Sequence, residues 1–150
     1  MGKKARKKLK KAANKVGNAV ENVIEDVNPF YKVGDSGRDS FTIYGAGEAY
    51  GKGGDDTLKA YAFSVKLDGG SGNDKIYSYS GKSKLYGGSG NDYIDAKGLS
   101  NYINGGSGND TIRAYAASNK IYGGDNNDKI KAIIYICNAV TIEDGVMVST

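Results

Sequence analysis

Aliphatic residues recur along this chain in two interleaved series, each with a period of 18 residues. The first series is Leu58, Ile76, Ile94, Ile112 and Ile130, and the second is Leu67, Leu85, Ile103 and Ile121. A fixed period of this length is typical of a solenoid, in which each turn stacks on the one before it. We therefore expect each turn to contain two strands whose aliphatic side chains form two facing core ladders.

A glycine-rich phrase follows the same period between the aliphatic positions. It reads GGSGND at 69–74, 87–92 and 105–110, and GGDNND at 123–128, with looser copies at 51–56 and 34–39. Glycine reaches positive φ without a Cβ penalty, so the phrase can coil tightly and turn carbonyl oxygens inward. These oxygens and one Asp per turn form a hard ligand set that favours calcium. Zinc is not expected, because the chain has no His and one Cys.

The aspartates of the phrase are expected to stand in one column. Adjacent strands lie about 4.8 Å apart, and carboxylates at that separation repel by up to about 3.5 kcal/mol at an effective dielectric of about 20. A cation between turns would convert this repulsion into attraction. We therefore predict that the chain is disordered or loose without calcium and that calcium folds it.

With the three residues that follow it, the phrase becomes the nonapeptide G-G-x-G-x-D-x-U-x, where U is aliphatic. This unit resembles the hemolysin-type, or RTX, calcium-binding repeat, well over residues 51–131 and weakly over 34–50. The resemblance implies an all-β protein, a right-handed parallel β-roll solenoid. It also implies several Ca²⁺ ions, about three to five, between equivalent loops of successive turns. Proteins of this kind typically leave Gram-negative cells by type I secretion and fold in external calcium.

The resemblance assigns even-numbered phrase positions to one ion and odd-numbered positions to the next. It places Gly70, Gly72 and Asp74 around one ion with Gly87, Ser89 and Asn91. The second set is Gly88, Gly90 and Asp92 with Gly105, Ser107 and Asn109, and the third is Gly106, Gly108 and Asp110 with Gly123, Asp125 and Asn127. Gly54, Asp56, Gly69, Ser71, Asn73 and Asp128 complete the expected calcium residues.

Three phrases depart from the repeat. The phrase at 51–56 departs by Lys52 and Gly53, Asp35 replaces the second glycine of the phrase at 34–39, and Asn126 replaces the glycine at the fourth position of 123–128. Whether residues 34–39 hold an ion is left open by the sequence.

Tyrosines are concentrated on the half of each turn that lacks the phrase. Tyr61, Tyr79 and Tyr115 share one repeat position, which Lys97 interrupts, and Tyr86 and Tyr122 share another. One interpretation is aromatic stacking between turns that stabilises the roll. The other is a flat binding face for a glycan, a crystal surface or another roll.

Residues 1–28 hold eight basic and three acidic residues, a net charge of +5, whereas the remainder of the chain has a net charge of −1. Val and Ile at helical spacing from 16 to 27 predict an amphipathic basic helix over about 4–27, ended by Asn28 and Pro29. It could cap the roll, bind an anionic membrane or envelope surface through residues 3–15, or bind nucleic acid, for which no motif is present. Its acidic residues argue against a secretory signal peptide or a transmembrane helix.

The expected domains are an arm or cap at 1–28, the roll at 29–131 and C-terminal capping strands at 132–150. Glu143 and the apolar residues after it also resemble the tail of some RTX secretion signals. Cys137 has no second Cys in the chain to pair with, so we expect a buried free thiol; the alternative is a disulfide between two chains. Without His as a general base, an enzyme is not expected. We expect a calcium-binding, secreted or surface-associated structural or adhesive module; the alternative is a membrane-active, toxin-like protein that uses the cationic helix.

Overall fold

A computed structural model describes residues 30–135, 140–143 and 146–149. The predicted N-terminal helix and Cys137 lie outside these residues. The strands are β1 (Tyr31–Val33), β2 (Ser40–Ile43), β3 (Gly47–Tyr50), β4 (Thr57–Ala60), β5 (Ser64–Ser71), β6 (Lys75–Ser89), β7 (Tyr93–Ser107), β8 (Thr111–Asp125), β9 (Lys129–Ile134), β10 (Val140–Glu143) and β11 (Val146–Ser149). Among the described residues, no helix is long and apolar enough to cross a bilayer.

The strands form a parallel β-solenoid of about six turns, as the period predicts. β6, β7 and β8 each pass through both sides of a turn, and the residues that pair between them are 18 positions apart. The first turn is one residue shorter: Ser40 pairs with Thr57, whereas Gly47 pairs with Val65. The difference lies in the bend between β2 and β3, opposite the glycine-rich phrases.

The two aliphatic ladders form the core. Leu58, Ile76, Ile94 and Ile112 on the first side, and Leu67, Leu85, Ile103 and Ile121 on the second side, are fully buried. Ile130, in the last turn, is only partly buried. Apolar burial contributes about 25 cal/mol per Å², so both ladders stabilise the stack of turns.

The sequence reasoning missed a polar part of the interior, next to the bend opposite the phrases. Ser78, Ser83, Asn101 and Asn119 are almost completely buried. The Ser78 and Ser83 hydroxyls lie 2.7 Å apart, and Asn101 Nδ2 donates to Asn119 Oδ1 at 3.0 Å. These bonds lower the cost of burying polar groups. They also link the two sides within a turn and one turn to the next.

At the C-terminal end the parallel stack gives way to an antiparallel hairpin on the second side. β11 pairs antiparallel with the Lys120–Tyr122 segment of β8, and β10 pairs antiparallel with β11. The parallel stack therefore stops at β8 on this side, whereas on the first side it continues to β9.

Candidate metal centre

The glycine-rich phrases stack at one end of the turns with a repeating backbone conformation. The second and fourth positions of each phrase from 51 to 128 have positive φ. In the central phrase these are Gly88, at +111°, and Gly90, at +120°. A Cβ on Gly88 would lie 1.9 Å from the carbonyl oxygen of Gly70, and one on Gly90 would lie 2.0 Å from that of Gly72. Two separate reasons therefore favour glycine at these positions: the positive φ, and the lack of space for a Cβ beside the carbonyl oxygen of the preceding turn.

Two departures from the repeat keep this conformation without glycine. Lys52 has a φ of 73° and Asn126 a φ of 79°. Asn tolerates the left-handed region better than Lys, because its short polar side chain can bond locally. The fold therefore imposes the loop shape even where the side chain opposes it.

Lys52→Gly should consequently stabilise the roll by about 1 kcal/mol, because it removes the left-handed strain of a side chain with a Cβ. Urea denaturation in saturating calcium measures this difference. Lys59→Gly is the matched control: Lys59 lies on β4 in extended backbone, where glycine should destabilise by about 0.5–1 kcal/mol. Equal destabilisation by both variants would contradict the strain at Lys52.

The phrase aspartates form a continuous ladder through one carboxylate oxygen. Oδ1 of each aspartate accepts a hydrogen bond from the backbone N–H of the aspartate one turn earlier, at 2.7–2.9 Å. The pairs are Asp39 to Asp56, Asp56 to Asp74, Asp74 to Asp92, Asp92 to Asp110, and Asp110 to Asp128. The column of aspartates expected from the period is therefore present, and backbone donors hold its register.

The second carboxylate oxygen has a different environment. Oδ2 of Asp56, Asp74, Asp92 and Asp110 is buried and accepts no hydrogen bond. It points at the first glycine of its own phrase, where the carbonyl of the next turn also arrives. A Cβ on Gly69, for example, would lie 2.3 Å from Asp74 Oδ2 and 2.6 Å from the carbonyl oxygen of Gly87. Buried charge without a partner is costly, and a bound cation is the partner that this oxygen-only environment fits.

The looser phrase at 34–39 differs at this point. Asp39 Oδ2 accepts a hydrogen bond from the backbone N–H of Asp35 at 2.8 Å. Asp35 itself accepts from the Gly37 N–H at 2.6 Å. Asp39 Oδ2 therefore has a hydrogen-bond donor within its own loop, whereas Oδ2 of the aspartate in each of the four following phrases has none.

A second side-chain ladder runs in the opposite direction on the exposed rim. The fifth residue of each phrase accepts, through Oδ1, from the backbone N–H of its equivalent one turn later, at 2.8–3.0 Å. The acceptors are Asp55, Asn73, Asn91 and Asn109. This ladder explains why Asn or Asp precedes the metal-loop aspartate, a preference whose cause sequence reasoning had not identified.

The structure brings together some members of each expected ligand set. Asp74 Oδ2 and the Gly87 carbonyl converge beside Gly69, and the same relation holds between Asp92 and Gly105 and between Asp110 and Gly123. The carbonyl of Ser89 instead accepts from the Gly72 N–H at 2.8 Å, and that of Ser107 accepts from Gly90 at 2.8 Å.

No group of three or more His, Cys, Asp or Glu side chains suited to a metal occurs in the part of the chain that the structure describes. Each of the four phrases from 51 to 110 contributes one buried carboxylate oxygen without a donor, so an ion held there would take most of its ligands from backbone carbonyls. Calcium accepts such mixed oxygen ligands, whereas structural zinc sites are built from Cys and His side chains.

Burial raises the pKa of Asp92 to about 7 and that of Asp74 to about 6. The N–H bond from the preceding turn lowers both values, and neighbouring carboxylates raise them again. Burial raises the pKa of Asp56 and Asp110 as well. Repulsion within the column is therefore present, but loss of water is the larger cause.

These shifts predict that acid lowers the dependence of folding on calcium. Folded-state pKa values above the unfolded value of 3.8 mean that the folded state binds protons more tightly. In chelator, stability should be highest at low pH and be lost as the pH rises through about 6 to 7. Acidification should thus restore β-sheet signal in circular dichroism. As the pH falls from 8 to 5.5, the calcium concentration at half-folding should therefore decrease, because protonation of Asp74 and Asp92 already favours the folded state. A midpoint that does not change between pH 8 and pH 5.5 would contradict this linkage.

The family model of the RTX calcium-binding nonapeptide repeat (four copies) matches residues 50–85, 68–98 and 96–130, which together span more than half of the chain. The chain belongs to the RTX calcium-binding repeat family. Its RTX phrases are the stacked loops described above, and the protein is a calcium-binding β-roll. RTX repeat proteins are typically secreted by Gram-negative bacteria. No curated protein and no solved structure matches the chain.

Proposed function

We propose that this protein is a secreted or surface-associated structural or adhesive module whose folding is coupled to calcium binding. The observation that carries the proposal is the column of buried carboxylate oxygens, on Asp56, Asp74, Asp92 and Asp110, that accept no hydrogen bond. Without a cation these groups oppose folding, and with calcium they stabilise it. Calcium concentration would then act as the folding signal outside the cell, where calcium is abundant.

The proposed ligands are the phrase residues from Gly54 to Asp128 in the sets given above. Of these, the metal-facing carboxylates and the first-glycine carbonyls already share one space. Bound calcium would supply positive charge to this oxygen column. The protein's own contribution is to fix the register of the carboxylates through the Oδ1 ladder, so that ion binding and turn stacking require the same geometry.

Far-UV circular dichroism during a calcium titration, with magnesium as control, tests this proposal. A steep rise of β-sheet signal with calcium alone is expected, because magnesium binds poorly in large all-protein oxygen sites. A chain already folded in chelator at pH 8 would overturn the coupling of folding to calcium.

The basic arm supports an alternative function. Residues 1–15 carry eight Lys and Arg and no acidic residue, a composition that favours anionic lipid surfaces. Leakage of vesicles containing anionic lipid by the whole chain, lost when residues 1–15 are removed, would favour a membrane-active role. Absence of leakage would leave the structural or adhesive module.

A further inference from the structure

A groove of about 590 Å³ crosses five successive turns on the second side of the roll. Equivalent segments at 46–48, 64–66, 82–84, 100–102 and 118–120 line it. Their register, from Gly47 to Val65 and on through Ser83 and Asn101 to Asn119, makes the groove run along the stack of turns, across the strands. It is separate from the metal loops, and none of the calcium residues lines it.

The groove is strongly cationic. Lys66, Lys82, Lys84 and Lys120 line it, and Glu48, at the N-terminal end, is its one acidic lining residue. Lys66 Nζ donates to the Tyr50 hydroxyl at 2.9 Å, and the Tyr50 hydroxyl donates to Glu48. The Glu48 carboxylate is thus held at one end of the groove, and the other charged side chains along the groove are lysines.

The lysines repeat with the spacing of the turns. Lys66 pairs with Lys84, Lys84 with Tyr102, and Tyr102 with Lys120. Lys66 and Lys84 are thus one turn apart, about 5 Å between their backbones, and Lys84 and Lys120 are two turns apart, about 10 Å. A row of this kind suits a polymer with regularly repeated anionic groups better than a single small anion.

The other lining groups distinguish between polymers. Tyr102 is the groove's aromatic residue, and the rings of Tyr86 and Tyr122 lie 5.9 and 5.7 Å from it, with Lys120 Nζ 6.0 Å above its ring. With one aromatic residue in its lining, the groove lacks the row of rings on which successive nucleic acid bases stack. Ser64 and Ser100 also line the groove and supply hydroxyl groups. Such groups match the hydroxyls of sugars.

We propose that this groove binds an acidic polysaccharide, laid along the stack of turns with its anionic groups against Lys66, Lys82, Lys84 and Lys120. The proposal rests on the proposed function, because it gives the adhesive module a partner and requires the folded roll. Either carboxylate or sulfate groups fit the lysines.

Fluorescence anisotropy with labelled hyaluronan and heparin oligosaccharides tests the proposal, using the whole chain in calcium sufficient to fold it. The groove variant is Lys82→Gln, Lys84→Gln and Lys120→Gln. The matched control, Lys59→Gln, Lys129→Gln and Lys131→Gln, removes the same charge from the exposed surface of the first side and keeps the basic arm. The groove variant should bind at least about tenfold more weakly than the control, since each exposed charge pair contributes a factor of a few.

Glu48→Gln provides a gain-of-affinity test, because removal of the one carboxylate should tighten binding by about twofold. Binding of hyaluronan alone would show that carboxylates suffice, and binding of heparin alone would show that sulfates are needed; either supports the proposal. Equal weakening by both triple variants, or no binding of either oligosaccharide, would overturn it. The proposal would also be overturned if single-stranded DNA bound more tightly than both oligosaccharides and the groove variant lost this DNA binding. Circular dichroism of the same samples separates these outcomes from a failure of calcium-dependent folding.

Discussion

Gly88→Ala should destabilise the calcium-loaded roll by about 4 kcal/mol, through backbone strain at positive φ and through overpacking. The Gly88 φ of +111° disfavours any side chain, and the new Cβ would lie 1.9 Å from the Gly70 carbonyl. That carbonyl belongs to the backbone of the neighbouring turn, so two turns must separate to admit one methyl group. Urea denaturation in saturating calcium measures the loss.

Gly53→Ala is the matched control for this substitution. Gly53 occupies the third position of its phrase, where other turns carry Ser71, Ser89 and Ser107. Its nearest obstacle is the Ser71 hydroxyl at 3.1 Å, which is the end of a flexible side chain. We expect a change within about 0.5 kcal/mol, because the backbone there suits any residue. Comparable losses in the two variants would show that the loops tolerate no added bulk at all, and would argue against the role of positive φ.

Asp92→Asn should have opposite effects with and without calcium. Asn retains the Oδ1 acceptor for the Asp74 N–H, which the structure places at 2.8 Å, but removes the charge from the buried oxygen that has no donor. In chelator at pH 8, loss of an unpaired buried charge should stabilise the folded state by about 2 kcal/mol. In calcium, loss of a carboxylate ligand should raise the folding midpoint by at least about tenfold and reduce cooperativity.

Asp68→Asn controls for removal of a negative charge near the same loops. Asp68 is half-buried and precedes the phrase at 69–74, outside the carboxylate ladder. Its substitution should leave the calcium midpoint within about twofold, as expected for a charge that does not contact the ion. If Asp92→Asn moved the midpoint no more than Asp68→Asn, the carboxylate column would not be the calcium site.

The repetitive features of this fold could be predicted from the sequence because a period of 18 leaves few alternatives. The aliphatic ladders, the parallel stacking and the aspartate column all follow from equivalent residues at equivalent positions. Stacking of tyrosines between turns is confirmed as well: the rings of Tyr61 and Tyr79 lie 5.1 Å apart and nearly parallel, and Lys97 lies 5.2 Å from the Tyr79 ring centre. Because these ring faces cover one another, they offer mainly edges and hydroxyls to a partner.

The features that could not be predicted depend on three-dimensional surroundings. Asn101 and Asn119 are polar and break the aliphatic pattern, yet they are buried because each finds an amide partner one turn away. Likewise, the sequence shows how closely the aspartates stack but not how far they are buried. Sequence reasoning therefore attributed the need for calcium to repulsion between carboxylates, whereas burial is the larger cause of the raised pKa of Asp74 and Asp92. The cationic groove combines residues of five turns with no common sequence phrase.

The two side-chain ladders of the loops run in opposite directions, and this makes each turn an interchangeable unit. Asp92 and its equivalents accept a hydrogen bond from the turn before, and Asn91 and its equivalents accept one from the turn after. A duplicate of residues 87–104, inserted after residue 104, would meet the same donors and acceptors at both junctions that the original meets now. Gene duplication or deletion in units of 18 residues would thus lengthen or shorten the roll without new bonds having to evolve. The number of turns is free to vary, while the content of each turn is not.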